Sequence, residues 1–127
     1  ESRGLGDVYK RQIMHRLAGC PVAIFDRDHV VSVSGAAKKE WNARRVSPEL
    51  EDLMEHRKMY YAENGASGMI PAEGVEKHAV ACLPIISAGD VTGAVAFLDD
   101  GSGATVNHCQ KTLIQAASQF LGKQLES

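Results

Sequence analysis

The sequence predicts an α+β domain in which terminal helices cover one face of an antiparallel sheet and a helix/loop lid covers the other. Two apolar runs, residues 80–86 and 91–98, are joined by the polar turn Ser-Ala-Gly-Asp, which indicates a β-hairpin. Neither run alternates polar and apolar residues, so we expect both strands in the centre of a sheet that is buried on each face. In a chain of 127 residues, the remaining helices and loops must supply both covers.

Regular alternation assigns the side chains of this hairpin to two faces. In the first strand one face takes Ala79, Ala81, Leu83 and Ile85, and the other takes Val80, Cys82 and Ile86. In the second strand one face takes Val91, Val95 and Phe97, and the other takes Ala94, Ala96 and Leu98.

Before the hairpin, the chain predicts a helix that ends near Gly19, a β-hairpin over residues 21–34 that turns at Arg27-Asp28, and a helical turn over 36–41. Ser47 followed by Pro48 is typical of a helix start, because Ser caps the first turn and Pro fits its first position. That helix runs to about residue 57. Its predicted buried residues are Leu50, Leu53 and Met54.

A short edge strand within residues 59–64 and a glycine-bearing loop over 65–74 lead into the central hairpin. After it, Thr105 is the expected cap of a last helix. The apolar stripe of that helix is predicted to consist of Val106, Cys109, Leu113, Ala116, Ala117, Phe120 and Leu121.

Composition limits the possible functions. The net charge is −2 and the isoelectric point about 6.2, so no overall positive field attracts nucleic acid or an anionic membrane. No apolar window approaches the roughly 20 residues of a membrane span, and no secretory signal is present. Three widely spaced cysteines suit a reducing compartment better than a disulfide framework. We therefore expect a cytoplasmic protein with no membrane partner.

Residues 1–12, ESRGLGDVYKRQ, begin without Met and are similar to a translated adaptor sequence. We interpret them as non-native and assign the domain to residues 13–127. The alternative is a natural helical leader, since Val8, Ile13 and Leu17 form a weak apolar stripe.

From about residue 13 to the end, the chain resembles GAF domains, which are small-molecule sensor modules. Three segments, CPVAIFDRDHVVSVSGAAKKEW, PIISAGDVTGAVAFL and AASQFLGKQLE, resemble more closely the C-terminal sensor domain of the stage V sporulation protein T family. These AbrB-type transcriptional regulators of endospore-forming bacteria carry a separate N-terminal DNA-binding domain. That domain is missing here, so the resemblance implies DNA contact only through the full-length protein.

The resemblance also implies a ligand on one face of the sheet, under a lid formed by residues 36–59 and 65–74. The candidate ligand-binding residues are Val33, Ser34, Lys38, Trp41, Arg57, Tyr61, His78 and Cys82. Apolar walls with a few convergent polar groups are the usual geometry of a small-molecule site. The alternative is that these residues simply pack a small core. The sequence identifies neither a ligand nor an operator sequence, and it leaves open whether a ligand exists.

Enzymatic activity is not expected, and no cofactor or metal site is predicted, because no metal-ligand pair or acid–base pair has suitable spacing. Some GAF domains are methionine sulfoxide reductases, which makes a thiol reductase the alternative function. Cys109 lies near a helix N-terminus that lowers a thiol pKa, but its place on the apolar stripe predicts burial. Cys82 is expected to be an inert packing residue.

The last helix carries more apolar residues than one sheet face needs. We therefore expect it to pair across a two-fold axis in a homodimer, with a tetramer possible for the full-length regulator. The candidate interface residues are Leu113, Ile114, Ala117, Phe120, Leu121 and Leu125. The alternative for this stripe is that it packs on the N-terminal helix within one subunit. A ligand-free structural dimerisation domain is a further alternative function.

Overall fold

A computed structural model of the protein describes residues 21–35, 38–41, 44–62, 69–75, 78–99 and 108–126. The predicted helix ending at Gly19, the segment 1–12 and the Thr105 cap lie outside these ranges. The elements are β1 (Val22–Asp26), β2 (Val30–Ser34), α1 (Lys38–Trp41), α2 (Pro48–Glu55), β3 (Tyr60–Tyr61), β4 (Ala79–Ser87), β5 (Asp90–Leu98) and α3 (His108–Glu126).

The five strands form one antiparallel sheet in the order β2-β1-β5-β4-β3. The predicted α+β fold is confirmed, and β4 and β5 are the long strands of a hairpin inside the sheet. Their turn has positive φ at both central residues, 52° at Ala88 and 84° at Gly89, as a two-residue hairpin of type I′ requires.

Buried apolar residues form two clusters on opposite faces of the sheet. The lid-face cluster takes Ala23, Phe25, Val30, Val33, Ala79, Cys82, Val91, Ala94, Ala96 and Leu98 from the sheet, and Trp41, Val46, Leu50, Leu53, Met54, Met69, Ala72 and Val75 from the lid. The helix-face cluster consists of Val22, Ile24, Ala62, Val80, Ala81, Leu83, Ile85, Val95 and Phe97, with Ile114, Ala117 and Leu121 of α3.

The face assignment from regular alternation is wrong at both ends of the hairpin. The β4–β5 register shifts between Ala79 and Ala81, so Ala79 lies in the lid-face cluster while Val80 and Ala81 both belong to the helix-face cluster. A second shift, next to Ile85, places Val91 in the lid-face cluster. Each bulge inserts one residue and reverses the alternation beyond it.

The helix start at Ser47 is confirmed. The Ser47 hydroxyl accepts a hydrogen bond from the Leu50 N–H at 3.1 Å, and Leu50, Leu53 and Met54 are buried as predicted. The helix is shorter than expected. It ends at Glu55 with His56 as its cap, because Arg57 has a left-handed φ of 54° that no helix can continue.

Helix α3 packs on the sheet through Ile114, Ala117 and Leu121. Near its C-terminal end the Ser118 hydroxyl donates to the Pro84 carbonyl at 2.7 Å, and Gly122 lies against the backbone of Ile86. Within the described ranges, none of the helices combines the length and the hydropathy that crossing a bilayer requires.

Candidate functional site

The lid is tied to the sheet and to itself by backbone hydrogen bonds. The Ala79 N–H donates to the Met69 carbonyl at 2.7 Å, which joins the segment before Ile70 to β4. The segment just before α2 pairs antiparallel with residues 71–73. The Ser47 N–H donates to the Pro71 carbonyl, and the Glu73 N–H donates to the Arg45 carbonyl. The lid therefore contains extended segments and helix α2. Backbone hydrogen bonds join the extended segments to each other and to β4.

Three of the predicted ligand-binding residues are buried under the lid, although Val33 in β2 and Cys82 in β4 are separated by two intervening strands. Val33, Trp41 and Cys82 are all buried members of the lid-face cluster. The side chain of Trp41 has no exposed surface.

The polar candidates do not converge on them. Arg57 is exposed, and its Nη2 donates to the Gly89 carbonyl at 2.6 Å, at the far end of the β4–β5 hairpin. His78 is exposed and its carbonyl accepts from the Asp99 N–H, while Ser34 is half-buried at the end of β2. The backbone of Lys38 lies in α1, and its side chain is outside the described part of the chain.

Tyr61 lies on the opposite face of the sheet from the predicted site. Its hydroxyl accepts a hydrogen bond from Gln115 Nε2 at 3.0 Å, and Lys111 Nζ lies 5.3 Å from its ring centroid, so Tyr61 contacts α3. The residue that reaches the lid-face cluster from β3 is Tyr60, which packs against both clusters. Burial raises the pKa of Tyr60, and a hydrogen bond with the Met69 backbone opposes this effect. Because one strand sends consecutive side chains to opposite faces, the edge strand could be predicted but not which tyrosine faces the lid.

Trp41 carries an unsatisfied polar group. Its indole Nε1 is buried and has no hydrogen-bond partner among the described residues. Tryptophan N–H groups usually find a partner when they are buried. The side chain is therefore a place where an acceptor atom would be stabilising.

The two described cysteines differ in environment, and neither takes part in a disulfide. Burial raises the pKa of the Cys82 thiol well above 9.0, which keeps it protonated and unreactive at neutral pH, consistent with a packing role. Cys109 is exposed, so its predicted burial is wrong. The face of α3 that meets the sheet is centred on Ile114 and Leu121, and Cys109 lies outside it.

The candidate dimer-interface residues also differ in how far they are buried. Ile114, Ala117 and Leu121 are buried against the sheet of their own subunit and have no surface left for a partner. Phe120 is 42% exposed and Leu113 is half-buried, while the side chain of Leu125 lies outside the described residues. The dimer interface stays a prediction, and its candidate residues with exposed surface lie on the outer side of α3.

A polar turn that the sequence analysis did not assign to any site joins β1 and β2. Ligand atoms of Asp26, Asp28 and His29 lie within 4.8 Å of one another, all on exposed side chains. Asp26 Oδ1 already accepts from the Asp28 and His29 N–H groups, each at 2.7 Å, and so closes the turn. A cleft of about 130 Å³ next to it is lined by Arg27, Asp28, Glu51, Met54 and Glu55. The Asp-Arg-Asp-His run indicates a turn in sequence, but nothing in it indicates the contact with α2.

Comparison with known proteins places this geometry in a family. The family model described as stage V sporulation protein T C-terminal, transcription factor, matches residues 7–126. The chain belongs to this family. Stage V sporulation protein T of Bacillus subtilis (strain 168) is 29% identical over 126 residues, which cover 96% of this chain and 69% of that protein. The resemblance drawn from the three sequence segments is confirmed.

Solved structures with low sequence identity share the fold. A fragment of a methyl-accepting chemotaxis protein, residues 122 to 287, has a TM-score of 0.77 at 12% identity and covers 97% of this chain and 88% of its own. The GAF domain of a phosphoenolpyruvate-protein phosphotransferase from Coxiella burnetii has a TM-score of 0.73 at 9% identity, with 97% and 82% covered. A GAF domain/HD domain protein from Geobacter sulfurreducens has a TM-score of 0.68 at 12% identity, with 94% and 87% covered. The fold is GAF-like, and family and fold together support a regulatory domain.

Proposed function

We propose that this domain senses a small molecule on its lid face and dimerises through the outer face of α3. In the full-length regulator, an N-terminal DNA-binding domain of the AbrB type makes the DNA contact in the cytoplasm. The observation that supports the proposal is a second apolar stripe on α3, beside the buried residues that face the sheet of the same subunit.

The second stripe consists of Cys109, Leu113, Ala116 and Phe120. These positions are separated by four, three and four residues, so they follow one side of the helix. Cys109, Ala116 and Phe120 are exposed and Leu113 is half-buried, whereas the sheet-facing positions are buried. A helix with apolar residues on a second side, beside the side that faces its own sheet, is typical of an element that packs on a second partner. In a homodimer the second copy presents the same stripe across the two-fold axis.

The sheet offers a direct route between the two faces. In β4, Cys82 belongs to the lid-face cluster, and its neighbours Ala81 and Leu83 belong to the cluster that holds α3. A displacement of the β4 backbone by a ligand under the lid therefore reaches the packing of α3. A ligand that binds one dimer geometry better than another shifts the equilibrium by no more than its difference in affinity.

Native mass spectrometry of the 127-residue chain, purified without denaturation, tests both parts. We expect a dimer that carries an additional small-molecule mass. An unliganded dimer that no metabolite stabilises in a thermal-shift screen would contradict sensing and favour a purely structural dimerisation domain. A monomer at micromolar concentration would contradict dimerisation.

A charged substitution locates the interface. Phe120→Asp places a carboxylate on the second stripe and is expected to give a monomer. Gln119→Asp adds the same charge at the neighbouring exposed position, off the stripe, and should leave the dimer intact. Equal effects of both substitutions would assign the dimer to another surface.

A further inference from the structure

Helix α2 ends in a Schellman motif that has an arginine at the position where glycine is usual. The Lys58 N–H donates to the Leu53 carbonyl at 2.9 Å, and the Arg57 N–H donates to the Met54 carbonyl at 3.2 Å. The motif requires a left-handed residue after the helix cap, and Arg57 supplies it with a φ of 54°. Any residue with a Cβ is strained at this φ, whereas glycine is not. The end of α2 is therefore held in a conformation that the Arg57 backbone alone does not favour.

The side chain of Arg57 connects the end of α2 to the β4–β5 hairpin. Its Nη2 donates to the Gly89 carbonyl at 2.6 Å, and Gly89 is the second central residue of the hairpin turn. A hydrogen bond from a charged donor is stronger than one between neutral groups. This hydrogen bond, termed the Arg57 latch, therefore offsets part of the cost of the left-handed backbone.

The two ends of α2 differ in exposure. At the N-terminal end Ser47 is buried, its N–H donates to the Pro71 carbonyl, and its hydroxyl accepts from the Leu50 N–H. At the C-terminal end Arg57 and Gly89 are both exposed, so water competes for each partner of the Arg57 latch. Because exposed hydrogen bonds open at a lower free energy than buried ones, we expect α2 to separate from the hairpin first at Arg57.

We propose that the end of α2 has two states, which differ in the φ of Arg57. In the closed state Arg57 is left-handed and the Arg57 latch is formed. In the open state Arg57 takes a right-handed φ, the Gly89 carbonyl is released, and α2 continues beyond Glu55. The open state moves the last turn of α2, which carries Leu53 and Met54 of the lid-face cluster, and so controls access to the lid face. In that role the inference rests on the proposed sensing function.

Two substitutions at Arg57 act in opposite directions on the backbone. Arg57→Ala removes the Arg57 latch and introduces a residue that favours the right-handed helix, so it should populate the open state. Arg57→Gly also removes the latch, but glycine takes a left-handed φ at no steric cost and should stay closed. Lys58→Ala is the matched control, because Lys58 is the neighbouring exposed cation and its Nζ donates to Asp52 of α2 at 3.2 Å.

Nuclear magnetic resonance of the labelled 127-residue chain measures three quantities. The ¹³C shift of the Gly89 carbonyl reports the Arg57 latch. The nuclear Overhauser effect between the amide and α protons of residue 57, which is strongest at positive φ, reports the backbone. The hydrogen-exchange protection factor of the residue-58 amide reports the end of α2.

The expected results differ between the three variants. In Arg57→Ala the Gly89 carbonyl should move upfield, the Overhauser effect should weaken, and protection at residue 58 should fall about threefold to tenfold. In Arg57→Gly the carbonyl should move in the same direction, with the strong Overhauser effect and the protection retained. Lys58→Ala should leave the Gly89 carbonyl and the φ of Arg57 unchanged.

Three outcomes overturn the inference. An unmoved Gly89 carbonyl in both Arg57 variants would show that the Arg57 latch does not form. A positive φ with full protection in Arg57→Ala would show that no open state exists. Equal loss of protection in Arg57→Ala and Lys58→Ala would assign the effect to a lost positive charge at the helix C-terminus. None of these results bears on sensing itself, which the native mass spectrum of the unsubstituted chain tests independently.

Discussion

Helix α3 approaches the sheet so closely at Gly122 that a single methyl group should separate them. A Cβ at Gly122 would lie 2.2 Å from the carbonyl oxygen of Ile86 and 3.2 Å from its carbonyl carbon. These are backbone atoms inside β4, so no side-chain rotation relieves the contact. To reach 3.0 Å, the helix must withdraw by roughly 0.8 Å, which strains the packing of Leu121 beneath it.

Two opposing effects set the magnitude for Gly122→Ala. Alanine favours the helix over glycine by about 1 kcal/mol. Overpacking a tight contact costs about 1–3 kcal/mol. We expect overpacking against the β4 backbone to outweigh the helix propensity, so that the free energy of unfolding falls by up to about 2 kcal/mol.

Urea denaturation measures this difference, with Trp41 fluorescence reporting the lid and far-ultraviolet circular dichroism reporting α3. Gln119→Gly compared with Gln119→Ala is the matched control, because this exposed position lies off the second stripe and calibrates the propensity difference alone. If Gly122→Ala raises stability by as much as Gln119→Ala exceeds Gln119→Gly, the helix does not rest on β4 at this point and the reasoning fails.

Three further changes have defined outcomes. Ser47→Ala removes the acceptor for the Leu50 N–H and should lower the free energy of unfolding by about 1 kcal/mol in urea, while Ser47→Gly should cost only a few tenths; equal stability of the alanine variant and the parent would exclude the cap. Because burial raises the pKa of Cys82, the folded state keeps a proton that the unfolded chain loses above about pH 9. Stability should therefore be fully present below that pH and fall by up to about 1.4 kcal/mol per pH unit above it, and an unchanged slope between pH 9 and 10 in Cys82→Ala would contradict this origin. We expect no methionine sulfoxide reduction with dithiothreitol as reductant, and turnover that disappears in Cys109→Ser would instead establish the thiol reductase function.

The features that the sequence predicted correctly depend on local chemistry. Ser47 followed by Pro48 favours a helix start, because the cap and the missing N–H act within one turn. The Ala-Gly turn between two apolar runs likewise needs only its neighbours to form a hairpin. The fold class followed from these elements, since two central strands require a cover on each face.

The errors arose where the answer depends on contacts between distant segments. Alternation failed at Ala79 and Val91 because each bulge is set by the register of β4 against β5, which no single strand encodes. The prediction that Cys109 is buried was wrong because α3 has apolar residues on two sides. The contacts of Ser118 and Gly122 with β4 fix how the helix is rotated on the sheet, and Cys109 then lies outside the buried face. The candidate site was predicted only in part for the same reason: Val33, Trp41 and Cys82 belong to the lid-face cluster, whereas Tyr61 lies on the other face of the sheet.

The edge strand β3 has a consequence for how the molecule opens. In the part of the chain that the structure describes, it pairs with β4 through two residues, Tyr60 and Tyr61, and the Ala62 N–H adds one bond to the Val80 carbonyl. Short edge segments with few backbone bonds are where local unfolding begins. Tyr60 packs against both apolar clusters, so detachment of this one strand admits water to both layers at once. Amide hydrogen exchange at residues 60–62 is therefore a single readout for events on either side of the sheet.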